Sequence, residues 1–290
     1  MTAAAQRLPT GRTALVLLVA SLCFATSGPL GKYAAPLHPV WIGVGRCLLA
    51  GVLLGGMGRR HLAGLGALPR RARRLVLLSG AVLGAHFALF LAGLRLTSLP
   101  AAITLVSLEP VSVVLIATIA FRSLPTRSEI AGVCLATVGA LLVARAAGQG
   151  DHTLTGDLVV VGAVVLYGVY VALSRAIGGE AHQAALSVAV YAGATMTLTA
   201  TALALRLPIE LTPSAAWAVV ALGIVPTLGG HTLVQWSASR MPPSRVALVS
   251  PGETVGGLAI SAALAGALPS TWEALGALVI VLGVLVTLRR

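Results

Sequence analysis

Ten apolar runs, each near the length that crosses a lipid bilayer, follow one another along this chain. A transmembrane α-helix needs about 20 mostly apolar residues. Hydrophobic residues make up 57% of the 290 and charged residues 10%, which leaves too little polar surface to cover a soluble globule. The sequence therefore predicts an all-α polytopic membrane protein with ten transmembrane helices. The runs are 13–33, 40–57, 75–94, 97–121, 130–144, 158–174, 184–205, 215–238, 246–268 and 274–288.

The basic residues are distributed unevenly between the two ends of these runs. If the N-terminus is cytoplasmic, 15 of the 20 Lys and Arg residues lie at cytoplasmic ends. Such an asymmetry predicts a multi-pass protein of the cytoplasmic (cell) membrane with both termini in the cytoplasm. It also accounts for the net charge of +12 without a nucleic-acid partner. The 15 residues are Arg7, Arg12, Arg59, Arg60, Arg70, Arg71, Arg73, Arg74, Arg122, Arg127, Arg175, Arg240, Arg245, Arg289 and Arg290.

The chain also repeats itself after about 144 residues. "SLPTRSEIAG" (123–132) aligns with "ALPSTWEALG" (267–276), and with local slips of one residue Glu109 and His86 align with Glu253 and His231. We expect a first repeat over 1–148 and a second over 149–290. Five crossings is an odd number, so the second repeat must enter the membrane in the opposite sense. Inverted repeats are typical of secondary transporters, in which the substrate site lies between the halves near the midplane.

Three stretches carry a resemblance to a known family: "CFATSGPLGKYAAPLHPVWIGVGRCLLA" (23–50), "LEPV" (108–111) and "GDLVVVGAVVLYGVYVALSR" (156–175). With the duplication, they make the chain resemble EamA-type transporters of the drug/metabolite transporter (DMT) superfamily. The resemblance implies two inverted five-helix repeats, a central substrate cavity, and export or exchange of small metabolites such as amino acids. The chain departs from the family at Arg122-Ser123 and Gly266-Ala267, where a Gly-Glu pair is common, so no gating role of that acid carries over.

Two acidic residues lie deep within apolar runs, Glu109 and Glu253, each near a proline, Pro110 and Pro251. Either each carboxyl group fixes helix packing, or both line the cavity and bind a proton or a cationic group. Intramembrane ionisable residues usually mark transport pathways, and a duplicated pair favours function. A proline in each helix would free a backbone carbonyl near the cavity.

Histidines and aromatic residues complete the predicted cavity. His86 and His231 could relay protons or make structural contacts. Phe90 lies four residues after His86, and Gln235 lies four residues after His231, each on the same helix face as its histidine. The remaining predicted lining residues are Phe24, Tyr167 and Tyr170. Arg46 could bind a substrate carboxylate, pair with an internal acid or extend to the interface, and we favour a structural role.

These observations predict a secondary transporter that works by alternating access, with protons as the candidate coupling ion and a small metabolite or a cationic drug as substrate. We expect a monomer or homodimer, without cofactor or metal. Two alternatives remain open. One is a lipid-headgroup flippase of the same fold. The other is an intramembrane enzyme acting on lipid-linked substrates, although HExxH, GxSxG and DxxD motifs are absent from the sequence.

Overall fold

All regular elements in the described part of the chain are helical. The computed structural model describes residues 10–97, 99–122, 124–146, 153–265 and 270–289. A 3₁₀ segment, Arg59–Leu65, and a π-helical segment, Gly223–His231, interrupt the series of α-helices. The α-helices are α1 (Thr10–Phe24), α2 (Ser27–Tyr33), α3 (Pro39–Met57), α4 (Arg70–Leu96), α5 (Leu99–Val106), α6 (Glu109–Phe121), α7 (Arg127–Ala146), α8 (Leu154–Ile177), α9 (Gln183–Ala204), α10 (Pro213–Leu222), α11 (Thr232–Ala238), α12 (Pro243–Val246), α13 (Val249–Ala265) and α14 (Thr271–Leu288).

Eight helical stretches in the described residues are long and apolar enough to cross a membrane. They correspond to eight of the ten predicted runs. Large apolar side chains cover the outside of the bundle, among them Met57, Ile119 and Leu278, as expected for a surface that faces lipid. The eight stretches are Gly11–Tyr33, Pro39–Met57, Arg70–Leu96, Arg127–Arg145, Leu154–Ile177, Gln183–Ala204, Pro213–Ala238 and Thr271–Leu288.

The other two predicted runs, 97–121 and 246–268, are each divided between two shorter helices, so helix length in the described residues accounts for eight of the ten predicted crossings. The first is divided into α5 and α6 at Ser107 and Leu108, and the second into α12 and α13 at Ala247 and Leu248. A proline lies in the first turn after each break, where its missing N–H is tolerated because the first N–H groups of a helix have no intrahelical partner. As a result Glu109 begins a helix and does not lie in the middle of one.

Glycines allow equivalent helices of the two halves to pack closely. A Cβ on Gly132 would lie 2.6 Å from Gly283 O, and one on Gly139 would lie 2.6 Å from Gly276 O, so α7 and α14 touch backbone to backbone. Residue numbers rise along α7 while those of the contacting residues in α14 fall, so the two helices run antiparallel. Helices α3 and α9 are also antiparallel neighbours, because Gly43 lies beside the Leu198 side chain and Gly55 lies beside the Val188 side chain.

Candidate functional site

A small buried cavity lies where the two halves of the chain meet. Its volume is about 30 Å³, enough for roughly two water molecules. Helices α1 to α6 supply most of the lining, and α8, the π-helical segment and α13 supply the rest. The lining residues are Phe24, Ser27, Arg46, His86, Phe87, Phe90, Val106, Glu109, Tyr167, His231 and Glu253. We refer to this space as the central cavity.

The two acids of the central cavity lie in the first turns of the two helices that follow the helix breaks described above. Glu109 is the first residue of α6 and is buried, and Ser250 and Glu253 lie in the first two turns of α13. The Ser250 hydroxyl donates a hydrogen bond to Glu109 Oε2. A carboxyl group of the first half is therefore bonded directly to the helix of the second half that carries the equivalent acid.

Aromatic rings and imidazoles form one continuous cluster around the acids. The His231 ring centroid is 4.5 Å from that of Phe24, 4.7 Å from that of Phe87 and 6.1 Å from that of His86. His86 Nδ1 lies 2.9 Å from Ala163 O, which requires this nitrogen to carry the proton and donate. His231 Nδ1 is buried and has no hydrogen-bond partner among the described residues. The two imidazoles are thus equivalent in sequence but held differently.

Arg46 contributes a buried positive charge to the same cavity. Its side chain is 1% exposed, its Nε donates to Thr227 Oγ1 at 2.8 Å, and its guanidinium carbon lies 3.8 Å from the Phe87 ring centroid. Nη2 is buried without a hydrogen-bond partner in the described part of the chain. The cavity therefore combines one guanidinium with two carboxyl groups.

The π-helical segment positions the partner of Arg46. Pro226 has no N–H to donate to Leu222 O, and the Thr227 hydroxyl donates to that carbonyl at 2.6 Å while accepting from Arg46 Nε. The Tyr191 hydroxyl donates to Thr227 O at 2.8 Å. Such wide helical turns recur at functional sites because they release backbone and side-chain groups from the regular ladder.

A second, larger cavity adjoins the first. Its volume is about 270 Å³, and it extends towards the end of the bundle at which α4 and α7 end and α14 begins. Most of its lining is apolar, including Leu94, Leu258 and Ile260, with Glu273 as an acid of the lining near that end. Phe90, Val106 and Glu253 line both cavities and form a shared wall.

The structure brings together most of the residues that the sequence singled out. Phe24, His86, Phe90, Glu109, Tyr167, His231 and Glu253 all line the central cavity. Tyr170 and Gln235 do not belong to that lining. Both are fully buried, and the Tyr170 hydroxyl makes a long 3.4 Å contact to His231 O.

Sequence reasoning missed several lining residues and gave Arg46 a structural role. Ser27, Phe87, Val106 and the hydrogen-bond partner Ser250 carried no signal beyond their closeness in sequence to predicted residues. The position of Arg46 within an apolar run was the available signal for its place in the cavity. Ser123, Gly266 and Ala267, where the family's Gly-Glu motif is missing, lie outside the described residues.

Comparison with known proteins assigns the family. Residues 11–145 and 154–289 each match the model of the EamA-like transporter family. One solved structure, described only as "Crystal structure of protein", has the same fold, with a TM-score of 0.75 at 21% identity over 95% of this chain and 96% of the other. None of the curated proteins matches the chain significantly. Two family matches that together cover almost every residue lead to one conclusion: this chain belongs to the EamA-like transporter family and is a membrane transporter of the DMT superfamily.

Proposed function

We propose that this protein is a secondary transporter that carries small metabolites across the cytoplasmic membrane by alternating access. Ten crossings form two inverted repeats, 1–148 and 149–290, with both termini in the cytoplasm. The antiparallel packing of α7 with α14 and of α3 with α9 supports the inversion, because these helices occupy equivalent places in the two repeats. The working unit is a monomer or homodimer.

One observation carries this proposal: matched acids and histidines from the two halves line one buried cavity. Glu109 and His86 come from the first half, and Glu253 and His231 from the second. Buried ionisable groups are costly in a membrane and usually mark the path of an ion or a substrate. A purely structural subunit would have no need for two such pairs in one cavity.

The position of the larger cavity supports an assignment of the side of the membrane that the site faces in this structure. With a cytoplasmic N-terminus, α4 and α7 end on the periplasmic side and α14 begins there, so this cavity extends outwards from the central one. This is an outward-facing arrangement. Alternating access then requires a second arrangement in which the equivalent helices open a cavity towards the cytoplasm.

Glu109 and Glu253 are the groups that we propose for proton coupling. A carboxyl group changes its proton affinity when the dielectric around it changes, as happens when a cavity opens to water. Opening to alternate sides would therefore let these acids take up a proton on one side and release it on the other. The hydrogen bond from Ser250 to Glu109 would be exchanged during that cycle.

Flux in proteoliposomes tests the proposal. A thermal-shift screen of amino acids, nucleosides, polyamines and cationic drugs first identifies a ligand, because a compound that binds only the folded state raises its stability. A pH difference should then drive accumulation of that compound by the wild type. Glu109→Gln and Glu253→Gln keep shape and hydrogen bonding but cannot titrate, so both should fold and bind yet lose accumulation.

The matched control is Glu210→Gln, which changes an exposed acid outside the cavity and should accumulate normally. If both cavity variants still build a gradient, the acids are structural and the coupling proposal is wrong. If a single variant keeps some residual accumulation, we expect it to be Glu253→Gln and not Glu109→Gln, since "LEPV" matches the family better than "SPGETVGG" (250–257).

A lipid-headgroup flippase of the same fold is the second candidate, favoured by the apolar lining of the larger cavity. A fluorescent phospholipid distinguishes the two. A flippase would move this lipid between leaflets of the proteoliposome faster than protein-free vesicles do, whereas a metabolite transporter would not. The intramembrane-enzyme alternative has no support from the family, whose members are transporters.

A further inference from the structure

Six exposed arginines lie at one end of the bundle, where α3 ends and α4 begins. The first 108 residues of the chain contain no Asp or Glu. In the described part of the chain none of the six forms an ion pair, and Arg60 Nε donates to an uncharged acceptor, His61 Nε2. Their positive charge is therefore not neutralised by the described protein. The six are Arg59, Arg60, Arg70, Arg71, Arg73 and Arg74.

The arginines at the start of α4 do not face the interior of the bundle. Ala72 and Val76, which are 3% and 4% exposed, are four residues apart and mark the face of α4 that packs inwards. The four arginines that flank Ala72 are all exposed and lie on the other faces. The first turn of α4 contains no acid. Because a helix N-terminus already carries partial positive charge, four cations there need a counter-charge from outside the chain.

The arginine-bearing side of α4 continues as a surface that faces lipid. Leu77 and Leu78 follow Arg73 and Arg74 by four residues, so each leucine lies one turn further along the same face. The two leucines are 54% and 50% exposed, as expected where a spanning helix contacts acyl chains. Four residues of an α-helix rise by about 6 Å. The arginines therefore lie at the level of the lipid headgroups, directly outside the acyl region.

The end of α3 has the same order of side chains. Met57, the last residue of α3, is 81% exposed, and Arg59 and Arg60 follow it. Helices α3 and α4 pack against each other. Two neighbouring helices thus change from exposed apolar side chains to guanidinium groups at the same end of the bundle.

The repeat itself does not require cations at this place. The equivalent segment of the second half, 203–218, contains one arginine and one acid, Arg206 and Glu210. Its helix, α10, begins with a side-chain cap, because the Thr212 hydroxyl accepts from Ala215 N at 3.1 Å, whereas α4 has no such cap. A topogenic role explains positive charge between α3 and α4, but not its position beside the lipid-facing leucines of α4.

We infer that the six arginines, with Met57, Leu77 and Leu78, form a surface that binds anionic phospholipids. We refer to it as the arginine surface. The lipid phosphates pair with the guanidinium groups, and the acyl chains lie against the three apolar side chains. Clusters of about four to eight basic residues directly beside a transmembrane helix are typical of proteins that bind anionic lipids. This binding is independent of the compound that the protein transports.

Native mass spectrometry of the purified full-length protein tests the inference. The protein is released from mixed micelles that contain equal amounts of phosphatidylglycerol and phosphatidylcholine with the same acyl chains. The wild type should retain phosphatidylglycerol at least about fivefold more, because one basic residue beside an anionic membrane surface contributes roughly that factor. Equal retention of the two lipids overturns the inference.

A pair of double variants locates the preference. Arg73→Gln with Arg74→Gln removes two charges from the arginine surface and should lower the preference for phosphatidylglycerol about fivefold or more. Arg145→Gln with Arg206→Gln is the matched control, because it removes two exposed arginines from the opposite end of the helices. Separated from the arginine surface by more than a Debye length, these charges should change the preference less than about twofold. Equal losses in both double variants would mean that overall charge decides, and the inference would be wrong.

Competition on the wild type distinguishes a lipid surface from a general anion site and needs no variant. Excess inorganic phosphate should leave phosphatidylglycerol bound, because phosphate cannot replace the contacts of the acyl chains with Leu77, Leu78 and Met57. If phosphate or soluble glycerol phosphate displaces the lipid, the arginines bind anions without recognising a lipid and the inference is overturned. This result decides the matter if the variant of Arg73 and Arg74 does not fold.

Discussion

The third and eighth predicted runs carry equivalent histidines but fold differently. "LSGAVLGAH" (78–86) in α4 aligns with "GIVPTLGGH" (223–231), and the second stretch is the π-helical segment. The decisive differences are at two positions, where Ala81 and Val82 in the first half correspond to Pro226 and Thr227 in the second. Proline removes the backbone donor that an α-helix would direct at Leu222 O, and the neighbouring threonine hydroxyl donates a hydrogen bond to that carbonyl.

This difference separates the tasks of the two halves. The regular helix α4 holds His86 against Ala163 O of α8, whereas the π-helical segment brings Thr227 to Arg46 and leaves His231 Nδ1 without a partner in the described residues. Equivalent sequence therefore produces a shared cavity with unequal walls.

The largest loss of stability is expected when Ala81 of the third run is replaced by proline, the residue found at the equivalent position 226 of the eighth run. Ala81→Pro removes a backbone hydrogen bond from α4 without supplying a hydroxyl, so the free energy of unfolding should fall by about 3 kcal/mol or more. Adding Val82→Thr recreates the second half's pair and should restore about 1 kcal/mol. Unfolding of purified protein in mixed micelles measures both. Tolerance of Ala81→Pro within about 1 kcal/mol would show that the two runs are not as different as the structure indicates.

A smaller loss is expected from Thr227→Val, which keeps shape but removes the hydroxyl between Arg46 and Leu222. The free energy of unfolding should fall by about 2 kcal/mol, because the buried guanidinium loses its acceptor. Val82→Thr is the matched change in α4 and should alter stability by less than about 1 kcal/mol. Equal effects at the two positions would contradict the special role of the π-helical segment.

The smallest difference should separate the two histidines. His86→Leu breaks the bond to Ala163 O and should cost about 1 kcal/mol. His231→Leu removes a buried nitrogen that has no partner in the described chain, so it should be neutral or slightly stabilising. The same unfolding assay applies to both, and a larger loss for His231→Leu would reverse the comparison.

The sequence predicted the membrane-spanning architecture because hydropathy is a local property. The internal repeat also related Glu109 to Glu253 and His86 to His231, and these four residues line the central cavity, whereas the predicted Gln235 does not. Tyr170 shows the limit of helical spacing. Three residues turn an α-helix by about 300°, so Tyr170 is rotated by about 60° from Tyr167, and it lies outside the cavity lining.

The rest depended on tertiary structure. The breaks between helices that precede Glu109 and Val249 lie where prolines follow closely, but an apolar run with a proline also fits a kinked continuous helix. The role of Arg46 depends on Thr227, which is 181 residues away and reaches it through a π-helical turn that no sequence periodicity indicates. Side-chain partners at that separation cannot be read from one sequence.

The central claim is that Glu109 and Glu253, contributed by opposite halves, act as one unit in one cavity. A double-mutant cycle on accumulation driven by a pH difference tests it most directly, with the wild type, Glu109→Gln, Glu253→Gln and the double variant reconstituted side by side. If the acids form one unit, each single change should abolish accumulation and the double variant should be no worse than the singles. Partial losses in the singles that multiply in the double variant would mean that the acids act independently, and would contradict the account.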